Sequence, residues 1–309
     1  MRMDASVVIP TYNRGRLLGV CLDCLIAQDY PKDGYEIIVV DDGSTDGTES
    51  VVRERESMCR LKYLRQTRTL GNGAAKNRGI AEAEGEIVIF TDSDAFAPPW
   101  YVREHVRSHR THPHSIVDGP AISVHDERCI LDPPVHSPAV RILAALDFWG
   151  EEFVNANASC GRCDLMKAGG FDETFLKWQD LELGQRLRKM GLGRVRNRRA
   201  YVLHYEAGRR DLPELARYMR LNGKYAALFY EKHPSAWARR KTRLRYLAYD
   251  RLFGRLGCTE SYLTQDRLMR CRKAGSPWYP LLRRLYLIHV YAEGLKKGFD
   301  MGRLEASRD

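Results

Sequence analysis

The chain has 309 residues, of which 44% are apolar and 29% charged, and its net charge is +10. That composition is globular, and no uninterrupted apolar run approaches the roughly 18 residues a membrane-spanning helix needs. The N-terminus lacks the apolar core of a signal peptide, which predicts a cytoplasmic protein. Charge is unevenly distributed: residues 211–309 hold 21 Lys/Arg against 10 Asp/Glu, whereas residues 1–210 hold 29 against 30. A near-neutral first part of about 200 residues is expected to fold as a domain, followed by a basic tail suited to membrane headgroups, a phosphorylated acceptor or nucleic acid.

In chain order, short apolar runs alternate with helical patterns, the signature of parallel βαβ units. Residues 6–10 read as a strand, and Leu17, Leu18, Cys21, Leu22 and Leu25 recur at helical spacing until Tyr30-Pro31. A second strand over 36–40 closes on Asp41-Asp42-Gly43-Ser44-Thr45-Asp46-Gly47, a run dense in turn formers. A helix over 48–56, a strand near 62–64 and a helix over 73–83 lead to Ile87-Val88-Ile89-Phe90-Thr91-Asp92-Ser93-Asp94. This last run predicts a strand buried on both faces that ends on two carboxylates, with Pro98-Pro99 barring its extension.

Residues 115–138 carry four prolines and predict a strand plus a loop bordering the site. Residues 153–159 read as a strand, 165–169 as a short helix, 180–191 as a helix, and 196–204 as a last, mostly antiparallel strand. From about Asp211 the pattern is helical throughout. Leu281, Leu282, Leu285, Tyr286, Ile288, His289, Tyr291 and Leu295 fall largely on one face, with basic residues and Trp278 nearby. Such a face suits packing within the protein or contact with an anionic membrane surface.

The eight cysteines are expected to be reduced thiols. Cys21/Cys24 and Cys160/Cys163 have zinc-ligand spacing, but the first pair lies inside a helix pattern rather than a knuckle, which favours plain thiols.

Two carboxylates one residue apart at a strand's carboxyl end can face a single divalent cation, and that edge of an open α/β sheet is where ligands bind. Gly71-Asn72-Gly73-Ala74-Ala75-Lys76 is neither a P-loop nor a dinucleotide fingerprint, which excludes a P-loop ATPase and a dehydrogenase. A diphosphate held through a cation on Asp92 and Asp94 fits instead.

Six stretches then occur in a telling order: Val8-Ile9-Pro10-Thr11-Tyr12-Asn13, residues 39–48, residues 73–80, Phe90-Thr91-Asp92-Ser93-Asp94, Gly169-Gly170-Phe171-Asp172-Glu173 and Gln179-Asp180-Leu181-Glu182-Leu183. Over residues 4–205 the chain resembles the family 2 glycosyltransferases of the GT-A fold. The resemblance implies an α/β catalytic domain over 1–210 with a mainly parallel sheet, a helical C-terminal region over 211–309, and metal-dependent inverting transfer from a nucleotide sugar, most readily a UDP-sugar.

It also implies roles. Pro10, Thr11 and Tyr12 would line the nucleobase pocket, and Asp42 would accept a hydrogen bond from the base. Asp92 and Ser93 would contact ribose or diphosphate, Lys76 the phosphates, and Asp94, Asp92 and His204 would hold Mn2+ or Mg2+. Asp180 would be the general base, although an acid in a helix's first turn also serves the helix itself. Trp178 and Gln179 would face the acceptor, with Asn155 and Asn157 at its border.

Two positions depart from the family pattern: Gln179 replaces the usual Glu, and Lys76 the usual Arg, which keeps charge but loses bidentate geometry. The implied partners are a glycan or polyprenyl-phosphate-linked acceptor and an anionic membrane surface. Nucleic acid is not expected, since the tail carries no recognisable binding motif. A nucleotidyltransferase, which shares the nucleotide-binding half-fold, fits the 169–173 and 179–183 stretches poorly.

Overall fold

The structure is a computed structural model that describes residues 3–146, 156–207, 211–255 and 264–306. It divides into two compact units, Met1–Gly208 and Arg209–Asp309. In the first unit β1 (Ala5–Thr11), α1 (Gly15–Ile26), β2 (Tyr35–Asp41), α2 (Thr48–Arg53), β3 (Leu61–Arg65), α3 (Asn72–Glu82) and β4 (Ile87–Thr91) follow the predicted alternation. Then come β5 (Ala95–Phe96), α4 (Tyr101–Thr111), β6 (Ser115–Asp118), β7 (Ala121–Val124), α5 (Arg128–Leu131) and α6 (Pro138–Leu146). The unit closes with β8 (Asn157–Gly161), α7 (Arg162–Lys167), α8 (Gln179–Lys189), β9 (Gly193–Arg196) and β10 (Val202–Tyr205).

A seven-stranded sheet has the order β3-β2-β1-β4-β8-β6-β9, and β5-β10-β7 form a smaller one. The neighbours among β3, β2, β1 and β4 are parallel, with Val7 opposite both Ile37 and Ile89, so their carboxyl ends share one edge. Every residue of β1, β2 and β4 is buried, because helices cover both faces. Val7 and Ile9 pack against Leu18 and Leu22 of α1 and Val102 of α4, whereas Val8 packs with Ala75 and Ile80 of α3 and Leu183 of α8. A methyl group at Gly79 would lie 2.3 Å from Val8 Cγ1, so the absent side chain lets α3 sit directly on β1.

Three expectations change. The helix starting near Leu17 stops at Ile26, before Tyr30, where the Gln28 side chain takes over: it donates to the carbonyls of Cys24 (3.0 Å) and Pro98 (2.9 Å) and accepts from Val102 N–H (2.9 Å). The single antiparallel strand expected over 196–204 is two strands in two sheets. β9 pairs parallel with β6, while β10 pairs antiparallel with β5 and parallel with β7. The Arg-rich turn between them has no apolar alternation to hold one ladder. The strand expected over 153–159 begins at Asn157, and residues 153–155 lie outside the described residues.

In the second unit the helical expectation over the described residues is met by α9 (Leu212–Lys232), α10 (Ala236–Lys241), α11 (Arg245–Arg255), α12 (Gln265–Lys273) and α13 (Tyr279–Ala306). Asp211 caps α9 by accepting from Glu214 N–H at 2.8 Å. Glycines let α9 and α13 touch backbone to backbone: a Cβ on Gly294 would lie 2.0 Å from the Arg220 carbonyl, and one on Gly223 2.1 Å from that of Tyr291. Tyr286, Tyr291 and Leu295 of the predicted apolar face are buried, whereas Trp278 and Leu281 are exposed. Among the described residues no helix is long and apolar enough to cross a membrane.

Behind the main sheet lies a closed polar network. His105 Nδ1 and His109 Nε2 each lie 2.8 Å from Ser159 Oγ, and His105 Nε2 is 3.0 Å from Asn157 Oδ1. Burial depresses the His105 pKa to about 3, helped by His109, and the His109 pKa to about 4. Both imidazoles are neutral in the folded chain at pH values where the unfolded chain, with histidine near 6.5, takes up protons. The fold therefore loses about 1.4 kcal/mol per pH unit for each histidine as pH falls below about 6.5. Urea unfolding of the full chain between pH 7 and 5 should show a falling midpoint, with a shallower fall in His109→Gln; identical slopes in the two proteins would contradict this.

Candidate functional site

The shared sheet edge gathers four loops. After β1, Asn13 takes a left-handed conformation (φ 50°), and its N–H donates to Ser44 Oγ (2.8 Å) while its side-chain oxygen accepts from Thr45 N–H (2.8 Å). Asp46 continues the clasp by accepting from Gly15 N–H (3.1 Å) and Thr48 N–H (3.0 Å), so the first two βα turns are fastened together. Pro10 and Thr11 are buried, with Thr11 Oγ1 lacking a hydrogen-bond partner, and Tyr12 is 48% exposed.

Asp41 and Asp42 do different work. Asp41 accepts from Ser44 N–H (2.8 Å) and the Tyr63 hydroxyl (2.5 Å), and so closes its own turn. Asp42 accepts from Gln66 Nε2 (2.9 Å), Leu70 N–H (2.7 Å) and Gly71 N–H (2.9 Å). Its carboxylate thus organises the loop that leads into α3.

Beyond β4, the Asp94 carbonyl accepts from Tyr205 N–H (2.9 Å), which joins the end of β10 to the acidic turn. This places His204 Nε2 3.3 Å from Asp94 Oδ1 and 3.8 Å from Asp92 Oδ2. One ligand atom from each of Asp92, Asp94 and His204 lies within 4.8 Å of the others. Burial opposes charge on both members of the Asp94–His204 pair, but their mutual attraction wins. Asp94 is held below its ordinary pKa by His204 and Arg14, and His204 is raised above its own by Asp94, Asp92 and Glu206.

Arg14, which motif reading passed over, forms an ion pair with Asp94 Oδ2. The left-handed Asn13 immediately before it is the signal in the chain. Asp94 Oδ1 is buried without a hydrogen bond. An orphaned carboxylate oxygen, a second carboxylate and an imidazole make a donor set that fits Mn2+ or Mg2+.

Lys76 does not present itself to solvent. It is fully buried, its Nζ has no hydrogen-bond partner, and it lies 5.3 Å from the Phe171 ring centroid and 5.9 Å from that of Phe90. Burial lowers its pKa, against the pull of Asp92 and Asp180. It is an amine held within the domain, in the fields of those two acids.

Asp180 lies in the first turn of α8, but the N-cap is Trp178, in a left-handed conformation (φ 67°) and with no capping side-chain bond. Asp180 is therefore not the N-cap residue, and its place in the first turn suits the helix dipole. Gln179 is buried and its Oε1 lies 3.1 Å from where a Cβ on Gly73 would sit. Ser93 is also buried. Asn157 is fully buried. Its amide donates to the carbonyls of Pro120 (2.9 Å) and Ala200 (2.6 Å), and its oxygen meets His105, so it is an internal clamp. Asn155 lies outside the described residues. Cys21 and Cys24 sit on α1, and Cys160 and Cys163 on the β8–α7 corner.

Residues 6–137 match the model of glycosyl transferase family 2. The chain belongs to this family. It is 32% identical over 268 residues to validoxylamine A glucosyltransferase of Streptomyces hygroscopicus subsp. jinggangensis, a match covering 74% of this chain and 61% of the relative. The chain thus spans about three fifths of that relative's length.

The fold resembles the mannosyltransferase PcManGT of Pyrobaculum calidifontis, solved with GDP-Man and Mn2+, at a TM-score of 0.64 and 21% identity over 97% of this chain and 88% of that one. It also resembles Staphylococcus aureus TarS 1-349 solved with UDP-GlcNAc, at a TM-score of 0.58 and 18% identity over 97% and 92%. This family 2 chain has the GT-A fold.

Loss of the Asp42 carboxylate leaves two backbone N–H groups and one amide without their acceptor, each charge-assisted bond being worth about 1.5–3 kcal/mol. Asp42→Ala is therefore expected to lower the melting temperature in the absence of any ligand. An unchanged melting curve would show that the carboxylate serves ligand alone.

Proposed function

We propose that the chain is an inverting, metal-dependent glycosyltransferase that moves a sugar from a nucleotide sugar, most readily a UDP-sugar, to a hydroxyl of a glycan or lipid-linked acceptor. The observation that carries this is the convergence of Asp92, Asp94 and His204, with an orphaned Asp94 oxygen, at the carboxyl edge of a parallel sheet. TarS was solved with UDP-GlcNAc and PcManGT with GDP-Man and Mn2+, which supports a nucleotide-sugar donor here.

In this proposal Asp92, Asp94 and His204 hold the cation, which when bound neutralises the diphosphate leaving group. Pro10, Thr11 and Tyr12 flank the base, and Asp42 accepts its N–H while bracing the loop behind it. Asp180 takes the proton of the acceptor hydroxyl as the hydroxyl oxygen bonds to the anomeric carbon. The bond from that carbon to the diphosphate oxygen breaks on the opposite side, and its electron pair leaves with the diphosphate. Gln179 in place of an acid removes one like charge from beside Asp180. The buried Lys76 side chain lies within electrostatic reach of both Asp92 and Asp180. Trp178 and Gln179 border the acceptor, and the basic second unit approaches anionic membrane.

Asp180→Asn should leave nucleotide binding intact while transfer or donor hydrolysis falls at least about 100-fold, the scale of a lost general base. Full activity in that variant would overturn the assignment. Asp94→Ala should remove the Mn2+ dependence of UDP binding in calorimetric titrations; identical metal dependence in wild type and variant would place the cation elsewhere. A screen of nucleotide sugars for metal-dependent release of free nucleoside diphosphate names the donor, and release of pyrophosphate from a nucleoside triphosphate would instead point to nucleotidyl transfer.

A further inference from the structure

The first unit contains a cavity of about 360 Å3 lined by Trp100, Arg103, Glu104, Arg141, Arg199 and Tyr201. That size suits a small molecule. None of these residues belongs to the acidic cluster. Tyr201 precedes His204 by three residues, so the cavity opens roughly 10 Å back along the chain that leads into β10.

The aromatic wall is fixed. Trp100 Nε1–H donates to the Arg199 carbonyl (3.0 Å), and the Tyr201 hydroxyl donates to that of Val135 (2.6 Å). The two rings meet edge to face at 6.1 Å. The Arg141 guanidinium lies 5.2 Å from the Trp100 ring centroid, which orders a side chain that would otherwise sample many rotamers.

The charges are not balanced within the fold. Arg103 is committed to Asp29 at 2.7 Å. Arg141 and Arg199 have no carboxylate partner among the described residues, although both are exposed. Glu104 is buried in the wall, where its carboxylate accepts from Asn197 Nδ2 at 3.2 Å. Two uncommitted guanidiniums favour a phosphate, whereas the carboxylate beside them repels a bare one and accepts hydrogen bonds from hydroxyls. A ligand that carries both groups satisfies the whole wall.

We propose that this cavity is a second binding site, for a phosphorylated saccharide or polyol, with its phosphate on Arg141 and Arg199 and its hydroxyls toward Glu104. The site does not depend on the transferase assignment.

The test is calorimetry on the full chain in EDTA with three probes: glucose 6-phosphate, glucose and inorganic phosphate. Glucose 6-phosphate should bind at one site, and each of the other probes about 10-fold or more weakly, because each lacks half of the contacts. The Arg141→Ala/Arg199→Ala variant, altered only at exposed side chains and checked by its melting curve, should bind glucose 6-phosphate about 10-fold or more weakly. Asp94→Ala should bind it as wild type does.

Absence of glucose 6-phosphate binding to wild type, or equal binding to the double-arginine variant, would overturn the site. Loss of binding in Asp94→Ala alone would move the ligand to the acidic cluster and equally overturn it. Inorganic phosphate binding as tightly as glucose 6-phosphate would overturn the saccharide assignment and leave free phosphate as the ligand.

Discussion

Two carboxylates at the end of a buried strand repel each other, and the first unit is arranged to contain that repulsion. Asp94 is almost fully buried, so its charge persists only through partners brought from distant parts of the chain. His204 reaches it from β10 and Arg14 from the turn after β1. Arg14 takes Oδ2, while His204 stands 3.3 Å from Oδ1 without a hydrogen bond to it, and a cation held by Asp92 and Asp94 would satisfy that oxygen. Arg14 occupies one Asp94 oxygen, so the guanidinium and an incoming cation draw on the same carboxylate.

A similar economy governs the loops after β1 and β2, where the proposed function places the base. The clasp among Asn13, Ser44, Thr45 and Asp46 fixes two turns against each other, while Asp42 holds the entrance to α3 through three donors. Asp42, expected to meet ligand, is therefore also the residue that shapes the loop into α3. Lys76 is the extreme case: an amine placed wholly inside, beside the rings of Phe90 and Phe171 and out of reach of solvent.

Much of this is legible in the sequence because the parallel strands are buried on both faces. Val7-Val8-Ile9, Ile37-Ile38-Val39-Val40 and Ile87-Val88-Ile89-Phe90 are unbroken apolar runs, and each ends in a loop of the candidate site. What is not legible depends on side chains meeting across long separations. In the sequence Asn157 suits an acceptor border or plain strand chemistry alike, and only the fold shows its side chain meeting His105 and two carbonyls. The 196–204 segment hides a change of sheet because β9 and β10 are each four residues long, too short to show a period. The cavity beside Trp100 is assembled from three separate segments, none with a motif of its own.

The double pairing of β10 bears on how the protein is made. Its register with β5 and β7 delivers His204 about 110 residues after Asp94 leaves the ribosome. At about 5–20 residues per second, the acidic turn waits several seconds or more for its third side chain. A nascent or clipped chain that stops before Val202 carries the recognisable motifs of the first half yet lacks the strand that locks Asp94 in place. In such a chain the missing contact between Asp94 and His204 would mark the first unit as incompletely folded.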